Sequence, residues 1–337
     1  MDEPILTFSP ESSKPQVLRV SQTGDAVSWV AQHREMLRSV TSKHGSLIVR
    51  GLPLRSASEV SAAFRHLGCL MPERERFAPR ERYSDCVYST SRWPANQRMC
   101  LHNELSYAQQ PPTMVLFACL VAPSARGETI VAGSHEVLNA LPDALVDKFE
   151  RLGWLLIRNY SPELGESIAD AFGLDDRGAV ERYCRANAID FEWKANGLRT
   201  WQRRNAIVTH AVTGKRCWFN QIAFLNEWTM DSDVHEYLLD LYGEEGLSFN
   251  TYFGNGERID REIIELINEV YTRHTSVQRW QAGDLMLIDN ILTAHGRECF
   301  EGQREVLAAI ADPLSLSPLL APGKKRVTTN QIGRAHV

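Results

Sequence analysis

What most limits the fold of this chain is how its apolar residues are bundled. Short runs such as SLIVR, MVLFACLVA, ETIVAG, LMLID and EVLAAIA recur between residues 45 and 312, most of them bounded by glycine, proline or charged residues. Runs of that length between turn signals read as buried strands. Helical patterns fall irregularly among them, not after every strand, which suits a closed or sandwiched β core better than alternating βαβ units. The expected fold is mostly β with flanking helices (α+β), built on a jelly roll, the double-stranded β-helix. A chain of 337 residues can support one large core, and there is no internal repeat or clear linker. We expect a single domain over 1–312 with its core at about 45–312. Residues 313–337, rich in proline and basic residues, are expected to form a mobile tail.

Local signals place several elements. Asp25 is positioned to cap a helix through AVSWVAQHREMLRSV, and Ser56 with Glu59 has capping-box spacing ahead of Val60, Phe64 and Leu67. Ser134 is expected to cap a helix that Pro142 interrupts or restarts. RCWFNQIAFLN (216–226) reads as a strand. DREIIELINEVYTRH (260–274) reads as an amphipathic helix with Ile263, Ile267 and Val270 on one side. The stretch from about 150 to 215 gives weak signals.

Composition removes several classes of function. A net charge of −5 without a dense basic block leaves no electrostatic footprint for nucleic acid. The longest apolar run, 114–122, is too short to span a membrane, and the acidic, proline-broken beginning does not read as a signal peptide. Seven cysteines with no C-x-x-C pair argue against a disulfide framework and a zinc ribbon. A cytoplasmic setting is expected.

Two stretches carry chemistry. In LHNELSY (101–107), His102 and Glu104 stand two apart; on a strand they project to one face while Asn103 points away. One imidazole and one carboxylate offer a platform for a divalent metal, and a third ligand would complete a 2-His-1-carboxylate face. In GDLMLIDNILTAHGRECFEGQRE (283–305), a strand ends near Asn290, His295 follows in a short loop, and Arg297 and Arg304 come close behind. Arg304 presents the planar fork that binds a carboxylate bidentately; pairing with Glu301 or Glu305 is the alternative.

The order and separation of LHNELSY…PPTMVLFACLVAPSARGETIVAGSHEVL and WQAGDLMLIDNILTAHGRECFEGQREVL resemble the TauD/TfdA family of iron(II)- and 2-oxoglutarate-dependent dioxygenases. The likeness is nearest to the SyrP-like (syringomycin aspartyl hydroxylase) and clavaminate synthase-like branch. GSLIVRGLPLRSASEVSAAFRHLG, RNYSPELG, WFNQIAFLN and NTYFGNGERI resemble segments of the same branch, so the likeness runs from about 45 to 312. It implies His102, Glu104 and His295 as iron ligands. It also implies Thr129 and Arg304, nine residues after His295, as groups that hold 2-oxoglutarate. Dioxygen would be the other co-substrate, with succinate and carbon dioxide released.

Glu104 stands where many members carry aspartate, and clavaminate synthase-like members also use glutamate. Related halogenases carry a small residue there to admit chloride, so Glu104 argues against halogenation. Taurine-type members place a sulfonate-binding arginine four residues past the co-substrate arginine; here that residue is Ala308. The resemblance points instead to hydroxylation of an amino acid, free or tethered to a carrier protein, in specialised (antibiotic-type) metabolite biosynthesis. Arg98, Asn103, Ser106, Asn220, Gln221 and Arg297 are candidate substrate-lining residues. Desaturation, cyclisation or epoxidation at the same iron centre is the alternative outcome. A non-catalytic jelly-roll binding protein and a zinc hydrolase are the alternatives of another class.

Overall fold

The computed structural model describes residues 5–7, 14–21, 24–78, 80–90, 93–162 and 164–316. Among the described residues the centre of the molecule is a nine-stranded sheet. Its spatial order runs from Ile5–Thr7 through Gln16–Arg19, Ser46–Arg50, Leu285–Asp289, Pro112–Val121 and Glu305–Pro313 to Val87–Ser89 and Arg82–Ser84, with Leu70–Met71 also pairing Glu305–Pro313. Strict alternation on its central strands splits the protein into two cores. Leu47, Val49, Leu116, Ala118, Leu285, Leu287, Leu307 and Ala309 pack on one side with Val30 and Leu37 of helix Ala26–His44 and with Val60, Phe64 and Leu67 of helix Ala57–Leu67. Ile48, Val115, Phe117, Met286, Ile288, Val306, Ala308 and Ile310 face the other way.

That second face meets a four-stranded sheet ordered Ser276–Val277, Thr129–Gly133, Thr293–Arg297, Met99–His102. The candidate site lies between the two sheets. A further four-stranded sheet, Ile189–Lys194, Gly197–Arg204, Trp154–Tyr160 and Phe249–Phe253, occupies the region where sequence signals were weak.

The helix starts agree with elementary capping rules. The Asp25 carboxylate accepts from the backbone N–H of Ser28 at 2.7 Å, and both bonds of the Ser56–Glu59 capping box are formed. Helix Arg261–Arg273 buries Ile264, Ile267, Val270 and Tyr271, with Ile263 only partly buried.

Four local expectations are corrected. The strand containing His102 ends at that residue, so Glu104 reaches the site from a turn in which Leu105 has φ +48°. The ladder stops because the backbone N–H of Glu104 donates to Asn290 Oδ1 (2.7 Å) and that of Asn103 to the Asn220 carbonyl (3.3 Å). His295 lies within strand Thr293–Arg297, not in a loop, paired with Val131 on one side and His102 on the other. The strand expected over 216–226 covers only Arg216–Trp218, because Asn220 Oδ1 accepts from the N–H of Ile222 and turns the chain. Ser134 is the first residue of helix Ser134–Ala140, not its cap; its hydroxyl accepts from Asn103 Nδ2 at 3.1 Å.

Of the segment expected as a tail, Pro313 completes its strand. Leu314 and Leu316 donate backbone N–H groups to the carbonyls of Pro111 (2.9 Å) and Gln109 (3.3 Å). Residues 317–337 lie outside the described residues.

Candidate active site

Strands bring the first group of side chains together. His295 and His102 are directly paired across the small sheet, with ring centroids 4.7 Å apart. The Glu104 carboxylate swings in beneath them, its Oε2 lying 3.4 Å from His295 Nε2 and 3.7 Å from His102 Nε2. All three residues are buried, and one ligand atom from each lies within 4.8 Å of the others.

The supporting bonds leave these atoms free to coordinate. His102 Nδ1 donates to the Cys100 carbonyl at 2.9 Å, which places the lone pair on Nε2, toward Glu104. Phe224 stacks on the same ring at 4.4 Å and 12°. His295 is held by packing, with Phe117 edge-on at 5.4 Å. Burial pushes its imidazole down to about 4, despite the opposing pull of Glu104, so it is neutral at ordinary pH. Burial would raise the Glu104 pKa, but Arg80 and the two histidines outweigh it and hold the carboxyl well below the usual range. Two neutral-capable imidazoles and a carboxylate converging on one point are the donor set of a facial metal site with open positions.

From this cluster a cavity runs between the sheets, lined by Val115, Phe117, Thr129, Ala308 and Ile310, to Arg304. Arg304 donates from Nε to the Gly127 carbonyl and from Nη1 to Thr90 Oγ1, both at 3.0 Å. Neither Glu301 nor Glu305 meets it, and no carboxylate among the described residues forms an ion pair with it; Glu305 accepts instead from the Tyr83 hydroxyl. Burial, with the like charge of Arg297 nearby, lowers its pKa to about 10, so it stays cationic. A buried cation without a counter-charge at the end of an apolar cavity is costly unless an anion joins it.

On the other side of the cluster a second cavity opens, lined by Glu73, Arg76, Phe77, Arg80, Trp93, His102, Glu104, Tyr107, Gln221, Phe224 and Phe249. Arg80 stands between the two carboxylates, 3.3 Å from Glu73 Oε1 and 3.6 Å from Glu104 Oε1. Burial raises the Glu73 pKa in spite of Arg80. The segment carrying Glu73, Arg76 and Phe77 is pinned by the third sheet. Arg158 donates to the carbonyls of Glu75 (2.7 Å) and Arg76 (2.8 Å) and lies 3.6 Å over the Phe77 ring. The buried Glu75 carboxylate accepts from Tyr183 and Gln202.

The candidate lining residues divide. Gln221 lines the outer cavity. Asn103 and Asn220 are spent on buried backbone and side-chain bonds. Ser106 is fully buried and lines neither cavity. Arg98 pairs with Glu298 at 2.9 Å, away from both cavities. Arg297 touches the inner cavity, but its Nη atoms donate to the carbonyls of Trp93, Pro94 and Gln97, so it ties down the 93–97 loop. Sequence reasoning missed Glu73, Phe77, Arg80, Trp93 and Phe224. Their only signal was aromatic and charged residues in irregular segments, which carry no period.

Comparison with known proteins agrees with this geometry. The chain matches the taurine catabolism dioxygenase TauD, TfdA family over residues 14–310, and it belongs to that family of iron(II)- and 2-oxoglutarate-dependent dioxygenases. It is 30% identical over 313 residues to the dapdiamide synthesis protein DdaC of Enterobacter agglomerans, covering 92% of this chain and 94% of the relative. It is 24% identical over 294 residues to a clavaminate synthase-like protein of Arabidopsis thaliana, covering 83% and 86%. Among solved structures, a taurine dioxygenase-like protein from Burkholderia xenovorans superposes with a TM-score of 0.53 at 14% identity, covering 94% of this chain and 93% of the other. AAD-2 in complex with Mn(II) and N-oxalylglycine superposes with a TM-score of 0.53 at 15% identity, covering 95% and 100%. The seven cysteines are all free, and no helix among the described residues is long and apolar enough to cross a membrane.

Proposed function

We propose that this dioxygenase hydroxylates an unactivated C–H bond of an amino acid, free or carried as a carrier-protein thioester, in the biosynthesis of a specialised metabolite. One observation carries the assignment of the site: a single cavity has His102, Glu104 and His295 at one end and a buried, carboxylate-free Arg304 at the other. In this reading the three residues hold iron(II), Arg304 receives the far carboxylate of 2-oxoglutarate, and Thr129 lines the same channel. The two packed sheets are those of a double-stranded β-helix. Iron with 2-oxoglutarate and dioxygen supplies the oxidising power, releasing succinate and carbon dioxide.

The chain's own residues do the positioning. Phe224 and the Cys100 carbonyl lock the His102 ring; Asn290 clamps the backbone of Glu104 through both its N–H and its carbonyl. Phe117, Val115 and Ile310 keep the channel apolar, which strengthens the Arg304–carboxylate attraction. Ala308 lies on the cavity-facing side of its strand and offers no cation to a sulfonate. The outer cavity carries charges of both signs among aromatic walls, which suits a small zwitterion. The name of the 30%-identical relative, a synthesis protein, supports the biosynthetic setting.

The test is succinate release in the presence of free aspartate, other free amino acids and their carrier-protein thioesters. At least one should stimulate turnover well above the rate without substrate. No stimulation by any of them would contradict an amino-acid substrate.

A further inference from the structure

We infer that Glu73, with Gln221, forms a subsite that recognises a protonated amine of the substrate. Glu73 belongs to the segment before Arg80, and its side chain is only 5% exposed. Oε1 faces Arg80 at 3.3 Å, whereas Oε2 is buried and has no hydrogen-bond partner among the described residues. Gln221 repeats the pattern: it is 4% exposed, and its Oε1 is also buried and unpartnered. Both residues line the outer cavity, the side of the His102–Glu104–His295 cluster away from Arg304.

A buried acceptor left without a donor costs the desolvation of that group, and a carboxylate oxygen costs more than a neutral one. Two such atoms in one cavity call for a ligand that brings donors, and the negative charge of Glu73 selects a cationic donor over an amide. Arg76 and Arg80 also line the wall, but each faces a carboxylate, Asp170 at 3.6 Å and Glu73 at 3.3 Å. Phe77, Trp93, Phe224 and Phe249 present aromatic surface, which attracts a cation. Of the buried lining atoms left without a partner among the described residues, two are acceptors and one, the Trp93 indole N–H, is a donor. Glu73 is not spare packing either. Its segment is held by Arg158 from the third sheet, which donates to the carbonyls of Glu75 and Arg76. That bracing holds the segment without taking up Oε2.

The inference rests on the oxygenase reading of the site, and the experiment separates the two. The full-length protein is loaded anaerobically with iron(II) and 2-oxoglutarate, and its charge-transfer band is titrated with the proteinogenic amino acids and their pantetheine thioesters. Each is paired with its N-acetyl and des-amino counterparts. Amine-bearing compounds should perturb the band, and their counterparts should bind about tenfold more weakly or worse, the effect of losing one charge-assisted bond in a dry site. In Glu73→Gln that preference should fall toward unity, and Gln221→Leu should reduce it by a smaller factor. A variant that merely loosens the pocket would weaken both members of each pair alike and leave their ratio unchanged. Three results overturn the inference while leaving the oxygenase reading intact: counterparts binding as tightly as the amines, a preference that survives in both variants, or a band that no amine perturbs. A band that never forms with 2-oxoglutarate removes the oxygenase reading and this inference with it.

Discussion

The two cavities that meet at the His102–Glu104–His295 cluster are built differently. The inner one is walled by strands: Phe117, Thr129, His295, Ala308 and Ile310 sit on paired strands, and Arg304 immediately precedes the strand of Ala308 and Ile310. The outer one is walled largely by irregular segments. Glu73, Arg76, Phe77, Arg80, Trp93, Gln221 and Phe224 all lie outside named strands and helices. Ladder bonds and alternation fix the register and facing of an inner residue. An outer residue depends on side-chain tethers such as Arg158 and Arg297. Such a division lets one oxidising centre serve different substrates, because loops change while the strands that carry the chemistry do not.

The strongest way to break this comparison is at the shared boundary. Glu104→Ala should reduce succinate release by more than about 100-fold, beyond the loss typical of removing an outer-shell partner; near-normal turnover would remove Glu104 from the metal site. Arg304→Ala should raise the 2-oxoglutarate concentration needed for half-maximal turnover by about 100-fold, as expected for leaving one member of a buried charge pair alone. Arg304→Lys should recover part of this, since it keeps the charge and loses the fork. An unchanged 2-oxoglutarate requirement in Arg304→Ala would take that residue out of the inner cavity.

Arg158→Ala sharpens the contrast from the outer side. It frees the carbonyls of Glu75 and Arg76 and uncovers Phe77, so half-saturation by the organic substrate should rise about tenfold or more, through loss of charged hydrogen bonds. The requirement for 2-oxoglutarate should move far less. Equal effects on both would mean that the third sheet supports the whole site and not one cavity. The smallest effect expected is that of Ser134→Ala. It removes the hydroxyl that accepts from Asn103 Nδ2 behind the cluster, a loss of about 1 kcal/mol in unfolding free energy, readable by denaturant titration with little change in turnover.

The same contrast explains what the sequence made legible. Short continuous apolar runs between turn residues marked the strands at 46–50, 112–121, 285–289 and 305–313, and with them the frame of the inner cavity. His102, Glu104 and His295 were found by residue type and family likeness, and the structure does bring them together. The local reason offered was wrong, however. Glu104 shares the face of His102 not by strand alternation but because Asn290 and Asn220 capture the backbone just past His102. That capture joins residues nearly 190 positions apart, and no local pattern announces it. Asn103, Ser106 and Asn220 looked like lining groups because polar residues near a ligand motif suggest function. In the fold Asn103 and Asn220 bond each other and the buried backbone, and Ser106 is buried away from both cavities. The outer wall was illegible for a related reason: its charged and aromatic residues sit in segments without period, positioned by a sheet whose own signals were weak.

The most direct test of the account is an anaerobic visible spectrum of the iron(II)-loaded protein before and after addition of 2-oxoglutarate. A weak metal-to-ligand charge-transfer band that grows with 2-oxoglutarate, and that needs far more of it in Arg304→Ala, is the predicted result. Folded, iron-loaded protein that shows no band at any 2-oxoglutarate concentration would contradict it.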